Sequence, residues 1–484
     1  MSKKPLAALI LAAGQGKRMR SLTPKVLHTC GDLPLVAHVV RAALARRANP
    51  VVVVVDPKNG ARVEACVRAL FPAAPLLFAV QERPRGTGDA ARVGLALLGR
   101  FAGRLLILYG DVPLLAAATL AKLERVAAKA QLALLTAEVA DAKGYGRIVR
   151  VGAHVTRIVE DADASADEKG IREINAGVYV CDAALLHEAC RNFSSRNAQG
   201  EFYLTDIVPL AAGQGGAVGV RVADPREIRG VNTRAELAEA ETTLRLRLIA
   251  HHQARGVMFR DPEDTFIGAD VRIAPDVEIG VGVQLYGKVK IGRGARIFGP
   301  TVVRDAQIEA GAVIAAFSHI EGARVGREAR IGPFARLRPL TSVEEGAHVG
   351  NFVELKKTRL GKGAKANHLA YLGDADIGAA SNIGAGTITC NYDGGPIKHR
   401  TIIGASAFVG SNTTLVAPIA VRQGAYVAAG STLTKDVPKD ALAFGRARQE
   451  NRAGYAAKLR ARLDEQRRAK AAPARARQAP KEPT

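Results

Sequence analysis

The chain has 484 residues, 48% of them hydrophobic and 24% charged, and its 69 lysines and arginines exceed its 46 aspartates and glutamates by 23. This length is more than one typical core needs, so at least two domains are expected. No run of about 18 apolar residues predicts a membrane span. The five cysteines include no C-x-x-C pair, which argues against a disulfide framework and a zinc site and favours a reducing, cytoplasmic location. The apolar run Leu6–Ala13 leads into a glycine turn, so no secretory leader is expected.

The first part of the chain, to about residue 232, alternates apolar strand-like runs with amphipathic stretches, the pattern of an α/β domain with a mainly parallel sheet. Strands are predicted at Ala7–Leu11, Val51–Val55, Leu76–Ala79, Leu105–Leu108 and Leu132–Glu138, and helices at Val36–Arg47 and Ala61–Leu70. Residues Arg234–Arg255 contain no glycine or proline and carry leucines at helical spacing. They predict one connecting helix.

A glycine loop follows the first predicted strand directly. Gly14 and Gly16 allow a tight turn whose backbone N–H groups can face an anion, and Arg18 and Lys25 lie close by in sequence to neutralise phosphate charge. The loop is not a dinucleotide fingerprint, because Met19 stands where a third glycine is needed. It is not a Walker A loop either, since no Gly-Lys-Ser/Thr follows.

Beyond residue 265 apolar residues recur every six positions. They are Ile267, Ile273, Ile279, Leu285, Ile291 and Ile297, then in a new phase Val325, Ile331, Leu337, Val343, Val349 and Leu355, and again Ile403, Val409, Leu415, Val421, Val427 and Leu433. Neither a helix nor an ordinary strand has this period, which is typical of hexapeptide repeats in a parallel β-helix with three hexads a coil. Residues 356–376 and 385–402 do not keep the register, so protruding loops are predicted there.

One histidine lies in the first of these irregular segments among polar groups. His368 is a candidate general base, because histidine titrates near neutral pH, and a carboxylate is expected to orient its ring. The polar side chains that cluster with it in the sequence are Arg336, Arg338, Glu354, Lys356, Tyr371, Asn382, Asn391 and Tyr392. Two cations and a tyrosine would suit a sugar phosphate.

The segment from Arg446 to Thr484 is basic, with 12 lysines and arginines against 4 acidic residues. It predicts a short helix near 452–469 followed by disorder. Either it attracts nucleic acid or it is a solvated terminus, and the second interpretation is favoured because no nucleic-acid motif accompanies it.

The string Leu11-Ala-Ala-Gly-x-Gly-x-Arg-Met, with Pro24-Lys25-x-Leu27, resembles the nucleotidyltransferases that activate sugar 1-phosphates. The resemblance continues at Gln81, Gly86-Thr87-Gly88, Tyr109-Gly110-Asp111, Gly144-Tyr145-Gly146-Arg147, Glu160, Asn175-Ala176-Gly177 and Gly230-Val231-Asn232. Together with the hexads, the chain resembles the bacterial family of bifunctional N-acetylglucosamine-1-phosphate uridyltransferases and glucosamine-1-phosphate acetyltransferases over roughly residues 5–450.

This resemblance implies four parts of the chain. Residues 1–232 would form a Rossmann-like nucleotidyltransferase domain, 233–256 a linker helix, 257–445 a left-handed β-helix acetyltransferase domain, and 446–484 a basic, partly disordered tail. The enzyme would acetylate glucosamine 1-phosphate with acetyl-CoA and then transfer UMP from UTP to N-acetylglucosamine 1-phosphate, releasing pyrophosphate. The product, UDP-N-acetylglucosamine, would supply peptidoglycan and lipopolysaccharide. A homotrimer with acetyl sites between subunits is expected, with no specific nucleic-acid partner.

The resemblance also implies site residues. Mg²⁺ would be held by Asp111 and Asn232, with Arg18 and Lys25 neutralising phosphate. The nucleotide and its sugar partner would be bound by Leu11, Ala12, Ala13, Gly14, Gln81, Gly86, Thr87, Tyr109, Gly110, Gly146, Glu160 and Asn175. In the acetyl site His368 would be the base, and the sugar phosphate would be bound by Arg338, Lys356, Tyr371 and Asn382. Acetyl-CoA would contact Ala385, Asn391, Tyr392, Ser411, Ala429 and Arg446.

Some positions depart from the family pattern. Lys17 replaces the usual threonine, Asn367 a glycine, Ala370 a threonine and Ala447 a valine. If the glycine position has a positive φ, asparagine is the best substitute. Two rival hypotheses remain open at this point: a single-activity nucleotidyltransferase whose β-helix serves only assembly, and a protein that binds nucleic acid through its basic surface.

Overall fold

The N-terminal part of the chain is built on one nine-stranded sheet. The computed structural model describes residues 4–214 and 216–471. The strands of the sheet are β1 Leu6–Leu11, β2 Val51–Val55, β3 Leu76–Val80, β4 Arg104–Tyr109, β5 Leu132–Glu138, β6 Arg147–Val151, β7 His154–Val159, β8 Glu173–Asp182 and β9 Ala217–Arg221. Their order in the sheet is β3-β2-β1-β4-β8-β5-β9-β7-β6. All five strands predicted from the sequence are confirmed.

Helices cover both faces of this sheet. They are α1 Leu35–Ala45, α2 Gly60–Leu70, α3 Thr87–Ala96, α4 Ala117–Ala127, α5 Ala166–Lys169, α6 Ala183–Asn192 and α7 Ile207–Gly213, with short 3₁₀ turns at Lys17–Met19, Lys25–Leu27, Leu204–Asp206 and Pro225–Ile228. The predicted parallel pairing holds for the four neighbouring strands β3, β2, β1 and β4. Strand β8 then pairs antiparallel with β4 and β5, so the sheet as a whole is mixed.

The predicted connecting helix is confirmed as α8, Arg234–Gln253. It starts with a capping box, in which the side chain of Thr233 accepts from the N–H of Glu236 and the Glu236 carboxylate accepts from the N–H of Thr233. Next to it, a turn at Gly31–Asp32 joins the two parts of the chain. Asp32 accepts from the N–H of Gly287 at 2.6 Å, and the carbonyl of Gly31 accepts from the N–H of Ala269 at 2.8 Å.

From residue 258 the chain forms a left-handed parallel β-helix with three flat faces. Face 1 consists of Met258–Phe259, Glu278–Ile279, Arg296–Ile297, Val313–Ile314, Arg330–Ile331, His348–Asn351, Lys365–His368, Asn382–Ile383, Phe408–Val409, Tyr426–Val427 and Leu442–Ala443. Face 2 consists of Phe266–Ile267, Val283–Tyr286, Thr301–Arg304, His319–Glu321, Arg336–Leu337, Glu354–Lys356, Tyr371–Gly373, Ile388–Cys390, Thr414–Val416 and Thr432–Leu433. Face 3 consists of Arg272–Ile273, Lys290–Ile291, Gln307–Ile308, Arg324–Val325, Ser342–Val343, Arg359–Leu360, Ala375–Ile377, Thr401–Ile403 and Ile419–Val421.

The apolar hexad residues fill the interior of this prism. All of the residues singled out by the six-residue period are buried, with none more than 7% exposed. Burial of one such side chain contributes about 1.5–3 kcal/mol, so the column is the main stabilising element of the coils. It continues through Val303, Ile308, Ile314 and Ile320, which the sequence pattern did not include.

The number of positions between consecutive inward residues departs from six at one edge of the prism. The inward residues Val303 and Ile308 are five positions apart, as are Ile320 and Val325, Leu355 and Leu360, and Leu372 and Ile377, and each pair leads from face 2 to face 3. The insertion Asn391–Arg400 lies at the same edge. From Ile267 to Leu433 the other two edges keep a step of six residues.

The prediction of a protruding loop at 356–376 is therefore wrong. This segment forms regular coil strands on all three faces, around the buried residues Leu360, Ala366 and Leu372. The five-residue steps Leu355–Leu360 and Leu372–Ile377 each shift the phase of the apolar positions. Between them, Ala366 is too small to stand out in the sequence as an interior residue. The second predicted loop is confirmed in shortened form, because Ile388–Cys390 is a strand and only Asn391–Arg400 leaves the coil.

The tail helix is confirmed as α9, Tyr455–Ala471, and all its residues are exposed. The disorder predicted after it falls mostly on 472–484, outside the described residues. All five cysteines are free thiols. Within 4–214 and 216–471, no helix combines the length and apolarity that a membrane span requires.

Candidate active sites

The glycine loop leaves β1 and folds around one lysine. Gly16 has φ +62°, and a Cβ at this position would lie 2.5 Å from Cβ of Lys25. The loop therefore needs glycine both for its backbone conformation and for the close approach of Lys25. The side chain of Met19 is buried beneath it and anchors its far end.

A cavity of about 520 Å³, here called the nucleotide cavity, opens above this loop. It is lined by ten of the residues predicted for the nucleotidyl site: Leu11, Ala12, Ala13, Gly14, Lys25, Gln81, Gly86, Thr87, Tyr109 and Asp111. The predicted Gly110 does not line it. Its N–H donates to the carbonyl of Leu11 at 2.9 Å, and a Cβ there would lie 2.9 Å from Cβ of Ala12, so it lets the ends of β1 and β4 approach.

The far wall of the nucleotide cavity is held by hydrogen bonds. The amide of buried Gln81 donates to the carbonyl of Gly86 at 3.2 Å and to Asp89 at 2.9 Å, which fixes its orientation. Gly86 has φ +102°, a conformation that favours glycine. The hydroxyl of Thr87 accepts from the N–H of Leu204 at 3.1 Å.

A second cavity of about 320 Å³, the sugar cavity, shares Tyr109 and Asp111 with the first. The other predicted residues that line it are Arg18, Gly146, Glu160, Asn175 and Asn232. Arg18 thus lies on the sugar side of Asp111, whereas its neighbour Lys17 lines the nucleotide cavity. The sequence did not separate these two positions.

Three side chains converge where the two cavities meet. The ammonium of Lys25 donates to the carboxylate of Asp111 and, at 3.1 Å, to the amide oxygen of Asn232. Two oxygens from distant parts of the chain are thus already arranged around one cationic atom, and oxygens are the donors that a hard divalent cation prefers. No cluster of three or more His, Cys, Asp or Glu side chains suited to a metal occurs in residues 4–214 and 216–471. Phosphate oxygens and water would therefore complete the coordination.

The floor of the sugar cavity carries a buried hydrogen-bond network. The amide of Asn175 donates to the hydroxyl of Tyr179 at 2.7 Å and accepts from the N–H of Gly177 at 3.1 Å, so neither its position nor its orientation is free. Burial raises the pKa of both Tyr179 and Tyr109, which keeps the two phenols neutral hydrogen-bonding groups. Tyr179 was missed from the sequence; a hydroxyl inside the otherwise apolar segment Val178–Cys181 of β8 was the available signal.

Glu160 stands at the wall of the same cavity. Its carboxylate accepts from the hydroxyl of Thr205 at 3.2 Å. Burial raises the pKa of Glu160, because the low-dielectric surroundings disfavour its charged form more than the Thr205 hydroxyl favours it.

The second candidate site lies on the β-helix around His368. Nδ1 of His368 lies 2.7 Å from the amide oxygen of Asn351, which stands in register with it one coil earlier. An amide oxygen only accepts, so Nδ1 donates to it, and Nε2 is the ring nitrogen that can accept a proton when the ring is neutral. The expectation that a carboxylate orients this ring is wrong: Glu354 pairs instead with Arg338 at 3.0 Å and Arg336 at 3.7 Å.

The polar residues predicted around His368 belong to four neighbouring coils. Glu354 and Tyr371 are in register on face 2, as are Lys356 and Gly373, and Asn382 is in register with Lys365 on face 1. Faces 1 and 2 meet at the edge that carries His368.

The residues predicted for acetyl-CoA follow this edge along the axis. Ala385, Ser411 and Ala429 occupy the position of His368 in the three following coils, with the carbonyl of Ala385 accepting from the N–H of Asn412 at 2.7 Å. Arg446 extends the row, since its Cδ would lie 3.7 Å from a Cβ on Gly430.

Asn391 and Tyr392 begin the loop Asn391–Arg400. Asn391 is buried and donates to Asp374 at 2.6 Å, whereas Tyr392 is exposed with the ammonium of Lys398 3.2 Å from its ring centroid.

Asn367 does not have the positive φ that was offered to explain it. The left-handed residue of this corner is Leu369, with φ +51°. Asn367 instead packs against Gly350, where a Cβ would collide with its carbonyl, and its own amide oxygen is buried with no partner among the described residues.

Comparisons with known proteins agree along nearly the whole chain. A family model described as nucleotidyl transferase matches residues 7–223. The bifunctional protein GlmU of Anaeromyxobacter sp. (strain Fw109-5) is 50% identical over 474 residues, which are 98% of this chain and 97% of the relative. Those of Sorangium cellulosum (strain So ce56) and Stutzerimonas stutzeri (strain A1501) are each 47% identical, covering 95% and 93% of this chain and 98% of either relative.

The raised pKa of Glu160 has a consequence for stability. The folded state binds the proton of this acid more tightly than the unfolded chain does, so stability falls as the pH rises from the ordinary glutamate pKa through the raised one. We expect Glu160→Gln to melt at a higher temperature than the unchanged protein above that window, and the difference to disappear below it. Scanning calorimetry between about pH 4 and about pH 8 measures this. Glu64→Gln, which changes a partly exposed carboxylate of α2, is the control. A Glu160→Gln difference independent of pH would contradict the assignment.

Proposed function

This chain belongs to the bifunctional GlmU family, and on that premise we propose how its residues divide two reactions. It is an enzyme with two transferase activities: it acetylates glucosamine 1-phosphate with acetyl-CoA, and it transfers UMP from UTP to N-acetylglucosamine 1-phosphate, releasing pyrophosphate. We assign uridylyl transfer to residues 1–232 and acetyl transfer to residues 257–445. In this scheme α8 lies within the linker 233–256, and Arg446, the first residue of the tail 446–484, contributes to the acetyl site.

The uridylyl assignment rests above all on the convergence of Asp111, Asn232 and Lys25 between two adjoining cavities. UTP occupies the nucleotide cavity, with its base against Gln81, Gly86 and Thr87, and N-acetylglucosamine 1-phosphate occupies the sugar cavity against Gly146, Glu160 and Asn175. The family uses a divalent metal, and we propose that it is Mg²⁺ held by Asp111 and Asn232, where it would neutralise phosphate oxygens.

In this arrangement the protein residues position charge rather than bond to the reacting atoms. Lys25 moves from its carboxylate partner to a phosphate oxygen, because a triphosphate offers it more negative charge than Asp111 alone. Arg18 neutralises the incoming sugar phosphate. The Asn175 amide, fixed by Tyr179, orients the sugar so that its phosphate oxygen faces the α-phosphorus.

For acetyl transfer we propose that Nε2 of His368 takes the proton of the 2-amino group as the nitrogen attacks the thioester carbonyl. Asn351 holds the ring with Nε2 outward. Arg338, Lys356, Tyr371 and Asn382 bind the sugar phosphate, and acetyl-CoA lies along the edge row of Ala385, Ser411, Ala429 and Arg446, with Asn391 and Tyr392 beside it. A backbone N–H or the Ser411 hydroxyl stabilises the tetrahedral oxyanion.

An exposed aromatic ladder supports the proposal of a homotrimer. Phe317, Phe334 and Phe352 stack along the His368 edge, with ring centroids 4.8 and 5.2 Å apart, and Leu369 continues the row. Each of these side chains is 46–59% exposed. A continuous apolar row of this length needs a cover, and closed symmetry places the same row of a neighbouring copy against it. The acetyl site would then lie between subunits.

We also propose a cytoplasmic location, since five free thiols suit a reducing compartment.

Asp111→Ala should abolish uridylyl transfer and leave acetyl transfer nearly unchanged, because the two sites share no residue. The assay incubates the protein with glucosamine 1-phosphate, acetyl-CoA, UTP and Mg²⁺ and identifies products by mass. The variant should accumulate N-acetylglucosamine 1-phosphate. Loss of both products would argue against separate sites.

His368→Ala should show the reverse, with acetyl transfer reduced by at least about 10²-fold. Asn351→Ala should reduce it less, because the base remains but its ring turns. UDP-N-acetylglucosamine formed from supplied N-acetylglucosamine 1-phosphate is the internal control. An unchanged acetylation rate in His368→Ala, or no acetylation by the unchanged protein, would favour the single-activity rival.

Phe334→Lys should separate the subunits, because a charge in the centre of the ladder opposes its burial against a second copy. Sedimentation velocity should find a trimer for the unchanged chain and a smaller species for the variant, with acetyl transfer lost and uridylyl transfer retained. Val151→Lys, an exposed change in the β6–β7 hairpin, is the control. A monomeric unchanged chain would overturn the proposal.

A further inference from the structure

The loop Asn391–Arg400 leaves the coil between faces 2 and 3. Its first two residues, Asn391 and Tyr392, are assigned to acetyl-CoA in the proposed function, on which this inference rests. Asn391 is buried and donates to Asp374 at 2.6 Å, so the coil fixes it directly. The side chain of Tyr392 is 58% exposed and has no hydrogen bond to the coil among the described residues. Contacts within the loop therefore decide where Tyr392 stands.

His399 closes this loop at its base with two contacts. Its backbone N–H donates to the carbonyl of Asn391 at 3.0 Å, which joins the end of the loop to its beginning. Nε2 of its ring lies 2.8 Å from Oδ2 of Asp393. An ionised carboxylate only accepts, so Nε2 donates to it.

Asp393 connects this contact to the tip of the loop. Its other oxygen, Oδ1, accepts from the N–H of Gly395 at 2.9 Å. The Gly395 N–H and the His399 ring lower the pKa of Asp393, which keeps the carboxylate charged near neutral pH. One carboxylate thus holds the tip of the loop with one oxygen and its base with the other.

Tyr392 is held by the two sides of this closed loop. Its hydroxyl donates to the carbonyl of Gly394 at 3.3 Å, and the ammonium of Lys398 lies 3.2 Å from its ring centroid. Each of these two partners is adjacent in sequence to a residue that Asp393 holds. Loss of the contact between Asp393 and His399 would therefore release the Lys398 side of the ring.

We propose that His399 is a positioning residue for acetyl transfer: with Asp393 it closes the loop, so that Tyr392 meets acetyl-CoA in one fixed orientation. His399 acts through the loop and touches neither substrate. An open loop would lose conformational entropy each time acetyl-CoA binds, and the closed loop has lost it beforehand. The contact therefore acts on the affinity for acetyl-CoA, and not on the proton transfer at His368 or on the binding of glucosamine 1-phosphate.

The test measures kcat and both KM values of acetyl transfer for His399→Ala and for His399→Gln, whose amide can still donate to Asp393. We expect His399→Ala to raise the KM for acetyl-CoA roughly threefold to fivefold, as suits a partly exposed charge pair, with kcat and the KM for glucosamine 1-phosphate unchanged. His399→Gln should recover most of the affinity. Adding His399→Ala to Asp393→Ala should weaken binding no further, because the contact is already lost.

Ile397→Ala is the control, since it truncates a side chain of the same loop that is 70% exposed. It should match the unchanged protein, and uridylyl transfer should be the same in every variant. An unchanged KM for acetyl-CoA in His399→Ala would overturn the inference. So would a loss of kcat instead of affinity, an equal rise of KM in Ile397→Ala, or additive losses in the double variant. Failure of the proposed function looks different, because the unchanged protein would then form no N-acetylglucosamine 1-phosphate from glucosamine 1-phosphate and acetyl-CoA.

Discussion

The β-helix depends on a single packing constraint: each coil places three apolar side chains inside a narrow prism, and the backbone must turn between them within a few residues. The interior side chains fix the register, and the registered coils then align equivalent positions along each edge. His368 lies over Asn351 because both follow an inward residue by two positions, Ala366 and Val349. The same alignment places Ala385, Ser411 and Ala429 in one row. The proposed acetyl site is thus a consequence of the regular interior, and residues far apart in sequence meet without any dedicated loop.

The proposed site of the sheet domain has a different requirement, since it must bind anionic phosphates rather than orient a base. Its side chains come from the ends of β1, β4 and β8 and from the segment before α8. Lys25 illustrates the principle, because its ammonium is held by both Asp111 and Asn232. Buried Tyr109 and Tyr179 provide a rigid neutral floor below these charges. The two sites therefore use opposite strategies, one built on repetition and the other on convergence.

The sequence predicted much of this and failed for identifiable reasons. The strands of the sheet, the helix α8 and the hexad interior follow from hydrophobic period, which is a local property. The segment 356–376 was misread because a five-residue step shifts the phase and Ala366 is too small to mark an interior position. Asn351 was missed because nothing in the sequence near it distinguishes it; only the coil register brings it to His368. Lys17 lines the nucleotide cavity and Arg18 lines the sugar cavity, because both lie in the 3₁₀ turn Lys17–Met19. The spacing of residues in the sequence does not predict this turn.

The edge between faces 2 and 3 collects every irregular step that follows the first coil, from the shortened steps at Val303–Ile308 and Leu372–Ile377 to the insertion Asn391–Arg400. The coils of this chain differ in length at this edge, where a shorter or longer step does not rotate the following side chains relative to the axis. Evolution can therefore lengthen or trim this edge, and can graft new segments onto it, while the edge that carries His368 keeps its spacing. The edge between faces 2 and 3 can therefore change in length, while the edge that carries His368 keeps the spacing that aligns its side chains.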